Sequence, residues 1–347
     1  MKRELGSLAK HRAYLGKPPR KGGVVPFPCK PAEVFATQVK GLAARLRAIK
    51  CRDVVIGLSG GLDSTLALLV ADAAFARLKL DRRGIHVCTM PGFGTSKRTK
   101  GNAELLCEGL GLGIETVSIA KSVRQHLKDI GHDGKTPDVT YENAQARMRT
   151  MILMDKANMT GGIVIGTGDL SEIALGWSTY NGDHMSMFAV NNDVPKTVIR
   201  KVCRWWVERV EKVGEAGKLG VAARAVRDII DTPVSPELVK GQVTEDKIGP
   251  YELHDFFLWN FIMNEMGSKD LQKSAERYFL GNRTIRTIEQ SNNFTKELIA
   301  KTLKTFMWRF FTQAFKRNCQ PDGIRVFPFE LSLRGWWIPS DLGFVRV

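Results

Sequence analysis

The stretch Gly57-Leu58-Ser59-Gly60-Gly61-Leu62-Asp63-Ser64-Thr65 carries the residue types needed to hold phosphates. Glycines let the backbone approach an anion closely. Ser59 and Ser64 can donate hydroxyls. If the stretch follows a strand and opens a helix, the unpaired N–H groups of the first helical turn add partial positive charge. A Walker A loop would close on Gly-Lys-Ser/Thr, but here Asp63 takes that place. A carboxylate beside phosphates calls for a cation between them. Without any ligand, the same stretch reads as a tight turn with Asp63 at the start of a helix.

Other residues gain meaning from where they fall. Thr167 and Glu172 follow the apolar run Gly162–Gly166. If that run is a strand, they stand at the carboxyl edge of a sheet, where such folds bind ligands. Glu172 could equally be a first-turn glutamate favoured by the helix dipole. Lys196 follows Pro195 at the start of an expected helix, where its charge opposes the dipole unless an anion is near. Solvation of its ammonium is the alternative. Trp177 and Tyr180 offer flat faces for a ring, or are core aromatics. Ser235 alone is an ordinary turn residue, and Lys316-Arg317 an ordinary basic pair. The loop Pro91–Lys100 has Gly92 and Gly94 as hinges and Lys97, Arg98 and Lys100 at its tip, and could close over phosphates.

These groups need a scaffold. Val34, Phe35, Val39, Leu42 and Leu46 recur at helical spacing and predict a helix over Pro31–Ile49. Short apolar runs at Asp53–Leu58, Ile85–Met90, Ile114–Ile119 and Gly162–Gly166 predict strands. Between them fall expected helices at Asp63–Leu80, Asn102–Leu110 and Tyr141–Asn158, and beyond Pro195 the pattern is mainly helical. Such alternation predicts an α/β, doubly wound parallel sheet with a mainly helical C-terminal part. Residues 1–30, basic and rich in proline, read as an arm or linker. The rest reads as one domain, with a core at about 50–235 and a helical part at about 236–347.

The SGGxDS loop resembles that of the ATP pyrophosphatases, and the downstream segments resemble NAD synthetases. Those segments are Met90–Ser96, Tyr141–Arg149, Gly166–Glu172, Gly176–Asp183, Val194–Thr197 and Phe315–Cys319. The resemblance runs from about residue 31 to about 340 and is closest to the synthetase half of glutamine-dependent members. It implies a Rossmann-like, adenine nucleotide alpha hydrolase-like fold. It also implies ATP-dependent amidation of deamido-NAD to NAD through an adenylated intermediate, releasing AMP and pyrophosphate. By position it implies ATP contacts from the loop Gly57–Ser64, Thr167, Lys196 and Ser235, and Mg²⁺ on Asp63 and Glu172. For deamido-NAD it implies Asn143, Glu172, Trp177, Ser178, Thr179, Tyr180 and Lys316. Asp63, Glu172 and Lys196 would be the catalytic set, with no protein nucleophile. A homodimer is typical of the family.

Glutamine-dependent members also carry a nitrilase-like glutaminase domain. The roughly 30 residues before the first expected helix are too few for one, so ammonia is the expected nitrogen donor, with a separate glutaminase as a possible partner. Six cysteines form no CxxC pair and read as reduced thiols. No apolar run approaches the roughly 18 residues of a membrane span, and no signal peptide is evident, so a cytoplasmic location is expected. The net charge of +16 suits phosphorylated ligands, and also keeps open a nucleic-acid binder using the arm and the basic helix Thr197–Lys212. That reading would show a salt-sensitive nucleic-acid shift without AMP formation. Another member of the ATP pyrophosphatases and a non-catalytic relative are further alternatives.

Overall fold

The computed structural model describes residues 27–213, 217–235, 238–239, 243–281 and 294–332. Helix α1 spans Pro31–Ala48 and buries Val34, Val39, Leu42 and Leu46, each contributing about 1.5–3 kcal/mol of burial. Then come strand β1, Val54–Gly57, helix α2, Leu62–Leu78, strand β2, Ile85–Thr89, helix α3, Lys97–Leu110, and strand β3, Ile114–Thr116. Helices α4, Ala120–Asp129, and α5, Val139–Thr160, lead to strand β4, Ile163–Gly166. The short helix α6, Leu170–Leu175, and strand β5, Phe188–Ala189, precede α7, Lys196–Lys212, and α8, Lys218–Ile230.

The sheet order is β3-β2-β1-β4-β5, and every pairing is parallel. Alternation along β1 serves two faces. Val54 and Ile56 join the large core with α1, α2 and α7, whereas Val55 meets Cys88, Val164 and Ala157 of α5 on the opposite face. Helix α2 is apolar nearly all round because it is covered on all sides, Leu66 to Ala71 being buried without interruption. The chain winds outward from β1 to β3, then returns to place β4 on the other side of β1. The strand order therefore reverses between β1 and β4, and their carboxyl ends frame a crevice.

The C-terminal part adds α9, Thr244–Ile248, α10, Tyr251–Met263, α11, Ser268–Gly281, and α12, Lys296–Thr312, followed by a 3-10 turn over Ala314–Cys319. These helices share the large core. Phe257 meets Phe306 at 5.8 Å and Phe306 meets Phe310 at 5.6 Å between ring centroids. Helix α10 packs against both α6 and α7, which matters for the site. Among the described residues no helix is long and apolar enough to cross a membrane. All six cysteines are free.

The expected strands and helices fall near where the periodicity put them, but strand β5 was not expected and β3 stops at Thr116. Helix α4 was not expected; its apolar signal is only Val123 and Leu127, buried one turn apart. Helix α3 starts at Lys97 and not near Asn102, because the Ser96 hydroxyl caps it by accepting from Thr99 N–H. Three basic residues in a first turn oppose the dipole and disguised that start. Ordered packing also begins before Pro31: Phe27 is buried against Trp259 and Phe327. The rest of the basic arm, residues 1–26, and the final residues 333–347 lie outside the described residues.

Candidate functional site

The loop Leu58–Gly61 leaves the carboxyl end of β1 and enters α2. Gly60 has φ +82°, and a Cβ there would lie 2.1 Å from the Thr99 carbonyl oxygen, so only glycine fits. The loop is stiffened from within: Ser59 Oγ accepts from Gly61 N–H at 3.1 Å, and Ser64 Oγ donates to the Gly61 carbonyl at 3.1 Å. Gly61 supplies no side-chain cap to α2, which leaves first-turn N–H groups for an anion. Asn191, fully buried, ties the two strand ends together. Its amide donates to the carbonyls of Asp63 at 2.9 Å and Thr167 at 3.2 Å.

Lys196 is the centre of the site. Its side chain is 1% exposed, so it is not a solvated lysine. Its Nζ lies 2.5 Å from Asp63 Oδ2, 2.6 Å from Asp169 Oδ2 and 3.0 Å from Glu172 Oε1. The Tyr251 ring stands 5.3 Å away. Burial disfavours the ammonium, but attraction from Asp169, Asp63 and Glu172 wins and holds its pKa well above the usual lysine range. Burial pushes the Asp63 carboxyl up to about 6 against the pull of Lys196, with Asp169 adding to the rise. Burial also holds the Glu172 carboxyl well above the usual range against the same pull, again with help from Asp169.

Asp63, Asp169 and Glu172 present oxygens within 4.8 Å of one another. Three carboxylates outnumber one ammonium. Asp63 Oδ1 is buried without a hydrogen-bond partner. Hard oxygen donors with negative charge to spare fit a divalent cation such as Mg²⁺.

Helix α6 carries Glu172 and is held at both ends. At its start Asp169 caps it, Oδ1 accepting from Glu172 N–H at 2.9 Å. At its end three cations take the free carbonyls. Arg317 donates to the Ala174 oxygen, Arg309 to those of Leu175 and Gly176, and Lys316 to those of Gly176 and Ser178. Positive charge there complements the dipole of the helix. Gly176 turns with φ +55°, and a Cβ would meet Gln313 at 2.5 Å.

One cleft of about 570 Å³ collects these elements, a size that suits a small-molecule ligand. Its walls include the loop Gly57–Ser64, Thr167, Glu172, Lys196 and Ser235, together with Asn143, Trp177, Ser178, Thr179 and Lys316. Thr179 donates to Asn143 Oδ1 at 2.8 Å. The face of Trp177 is occupied on one side by Arg309, 4.7 Å from the ring centroid. Tyr180 is the exception among the sequence-selected residues. It is not part of the cleft wall, is 37% exposed and packs on Phe315 at 5.4 Å.

The expected mobile loop Pro91–Lys100 is shorter and better anchored than its sequence suggested. Lys97, Arg98 and Lys100 belong to α3. Arg98 is bound to Asp228 of α8. Gly92 and Phe93 before them are pinned, since Gly92 N–H donates to Thr95 Oγ1 and Phe93 N–H to Gln145 Oε1. Sequence reasoning passed over Asp169, Asn191, Arg309 and Asp255. Asp169 sat in a segment already singled out. The other three act through contacts made by distant chain, which spacing does not reveal.

A profile of the NAD synthase family matches residues 34–298. A glutamine-dependent NAD(+) synthetase from Mycobacterium tuberculosis (strain ATCC 25618 / H37Rv) is 39% identical over an alignment of 337 positions that covers 89% of this chain and 47% of that protein. The chain spans about half the length of the curated relatives it matches. Among solved structures, a glutamine-dependent NAD(+) synthetase from Cytophaga hutchinsonii has a TM-score of 0.64 at 17% identity, covering 89% of this chain and 54% of that one. NMN synthetase from Francisella tularensis has a TM-score of 0.55 at 24% identity, covering 77% of this chain and 100% of that one. At such identities the likeness speaks for the fold, a parallel α/β sheet of Rossmann type.

Proposed function

This chain belongs to the NAD synthase family, and on that premise we propose that it amidates deamido-NAD to NAD at the expense of ATP, releasing AMP and pyrophosphate. The observation that carries the reading is the meeting, in one cleft, of the loop Ser59–Asp63 with Asp63, Glu172 and Lys196, beside which Asp169 lies buried. The loop and the start of α2 offer N–H groups to the departing pyrophosphate, and Thr167, Lys196 and Ser235 line the ATP side. Asn143, Trp177, Ser178, Thr179 and Lys316 line the dinucleotide side. Tyr180 stands off this wall and would reach the dinucleotide only from beyond it.

The nicotinate carboxylate attacks the α-phosphorus of ATP. The Pα–O bond to the β-phosphate breaks, and pyrophosphate leaves with that electron pair. Ammonia then attacks the acyl carbon, AMP departs and a proton is released. No protein nucleophile takes part. The chain brings two anions together and excludes water from a labile acyl adenylate. Asp63 and Glu172, with Asp169 beside them, would hold Mg²⁺, which supplies charge stabilisation for the leaving phosphates. Lys196 contributes a second positive charge at the same place.

For nitrogen, the chain on its own uses free ammonia, and its family relatives named glutamine-dependent motivate a test with a separate glutaminase. The assay follows NAD and AMP with ATP, Mg²⁺ and deamido-NAD, supplying ammonia or glutamine near pH 8. Nicotinic acid mononucleotide is run alongside. NAD and AMP in equal amounts with ammonia support the reading. Faster turnover of the mononucleotide would replace the substrate, and equal use of glutamine without a second protein would replace the nitrogen donor. Absence of AMP with a salt-sensitive nucleic-acid shift would sink the enzyme reading.

A further inference from the structure

Helix α7 begins with Lys196 but has no side-chain cap of its own, because Pro195 stands at the capping position. Its first-turn N–H groups are met from elsewhere. Asp255, in the middle of α10 and 1% exposed, aims its carboxylate at the start of α7. Oδ2 accepts from Thr197 N–H at 3.0 Å and from the Thr197 hydroxyl at 2.7 Å. Oδ1 accepts from the Ser171 hydroxyl at 2.5 Å. Ser171 Oγ in turn accepts from Lys196 N–H at 2.8 Å. One buried carboxylate therefore joins the residue before Glu172 on α6 to Lys196 and its successor on α7.

We propose that Asp255 is a positioning residue for the nucleotide side of the cleft, fixing Lys196 and Glu172 relative to each other through Ser171 and Thr197. The inference rests on the reading of that cleft as an ATP and metal site. Asp255 is not part of the cleft wall, so it touches no substrate and acts through its two partners. The chemistry of the group is specific to the task. Three donors converge on two oxygens, and an ionised carboxylate accepts all of them, whereas an asparagine amide nitrogen cannot accept. The carboxylate also faces the positive end of the α7 dipole. Lys196 Nζ lies within 3.0 Å of three carboxylates, and its backbone is anchored by the same network. A shift of about 1 Å in that anchor would misplace a charged group where positions count most.

The test compares Asp255→Asn and Ser171→Ala with the parent chain. Far-UV circular dichroism and thermal melting first check folding. Steady-state kinetics then separate kcat and KM for ATP and for deamido-NAD. Calorimetry measures Mg·ATP affinity without turnover, and amide exchange reports residues 197–199 in the ligand-free protein. Loss of such an outer partner typically costs about 10–100-fold in affinity or activity. Asp255→Asn is expected to weaken Mg·ATP and kcat/KM for ATP within that range, with the KM for deamido-NAD changed less than about twofold, and to speed exchange at the start of α7. Ser171→Ala, which removes one link of the network, is expected to move the same quantities less. Equal weakening of both substrates, or unchanged ATP kinetics with unchanged exchange, would overturn the positioning role. If Asp255→Asn does not fold, Ser171→Ala decides by the same split. If the parent chain makes no NAD, the proposed reaction fails, while exchange at residues 197–199 still tests the clamp.

Discussion

Lys196 and Asp63 stand 133 positions apart in the chain, yet Nζ and Oδ2 lie 2.5 Å apart. Asp169 and Glu172 complete the shell around the same ammonium. The position that a divalent cation would favour is thus already next to a positive charge supplied by the chain. A divalent cation bound there would share the three carboxylates with Lys196, and each would weaken the other's hold unless phosphates arrived to draw the lysine away.

Lys196→Met separates these roles. Removing one partner of a buried ionic cluster typically costs about 3–5 kcal/mol, so the melting temperature should fall in metal-free buffer. Mg²⁺ without nucleotide should then raise the melting temperature of the variant more than that of the parent, while NAD formation drops by about two orders of magnitude or more. A smaller Mg²⁺ response in the variant would show that Lys196 does not compete for the cation position.

Asp63→Asn and Glu172→Gln should each reduce turnover by about two orders of magnitude or more. Their carboxylates also neutralise Lys196, so some loss of stability accompanies the change. Asp169→Asn should be the least stable of the three, because that group is fully buried and caps α6 as well. Melting curves and single-turnover rates rank them. A stable Asp169→Asn with normal turnover would remove it from the cluster's working set.

Lys316→Ala should weaken deamido-NAD more than ATP. Its Nζ holds the carbonyls of Gly176 and Ser178, which shape the segment running into Thr179. Burial, with Arg309 nearby, lowers its pKa. A raised KM for ATP with an unchanged KM for the dinucleotide would place Lys316 in the other half of the cleft.

His254 gives a pH signature. Burial lowers its pKa to about 4, against about 6.5 for an unfolded chain. Its Nε2–H donates to the Ile248 carbonyl at 2.9 Å, and Nδ1 has no partner. The unfolded chain takes up the proton first, so this residue's contribution is present above about pH 6.5 and is lost as pH falls towards about 4. His254→Gln should flatten that part of the pH–melting curve relative to the parent. Parallel curves for the two proteins would show that His254 does not titrate on unfolding.

The sequence by itself determined the local pieces. Apolar runs of five or six residues and 3.6-residue periodicity placed four of the five strands and most helices. The glycine-serine loop after β1 pointed to an anion site by its residue types, and the structure adds why Gly60 is required: φ is +82° and a Cβ there would lie 2.1 Å from the Thr99 carbonyl oxygen. Those signals are short-range and survive in one dimension. The start of α3 was lost because basic first-turn residues argue against a helix while the Ser96 cap, a single contact, argues for one.

Only the tertiary structure decided which charges meet. Nothing in the spacing of Asp63, Asp169, Glu172 and Lys196 shows that one ammonium meets three carboxylates, since the meeting depends on the reversal of strand order between β1 and β4. Tyr180 and Trp177 looked alike as aromatic neighbours, but the turn at Gly176 and the grip of Arg309 and Lys316 set Trp177 in the cleft wall and left Tyr180 outside it. Asp255 carried no signal at all, being one of two acids, with Glu252, in a largely apolar helix. Its role exists only because α10 packs against the starts of α6 and α7, where a buried carboxylate finds donors that those two helices cannot satisfy themselves.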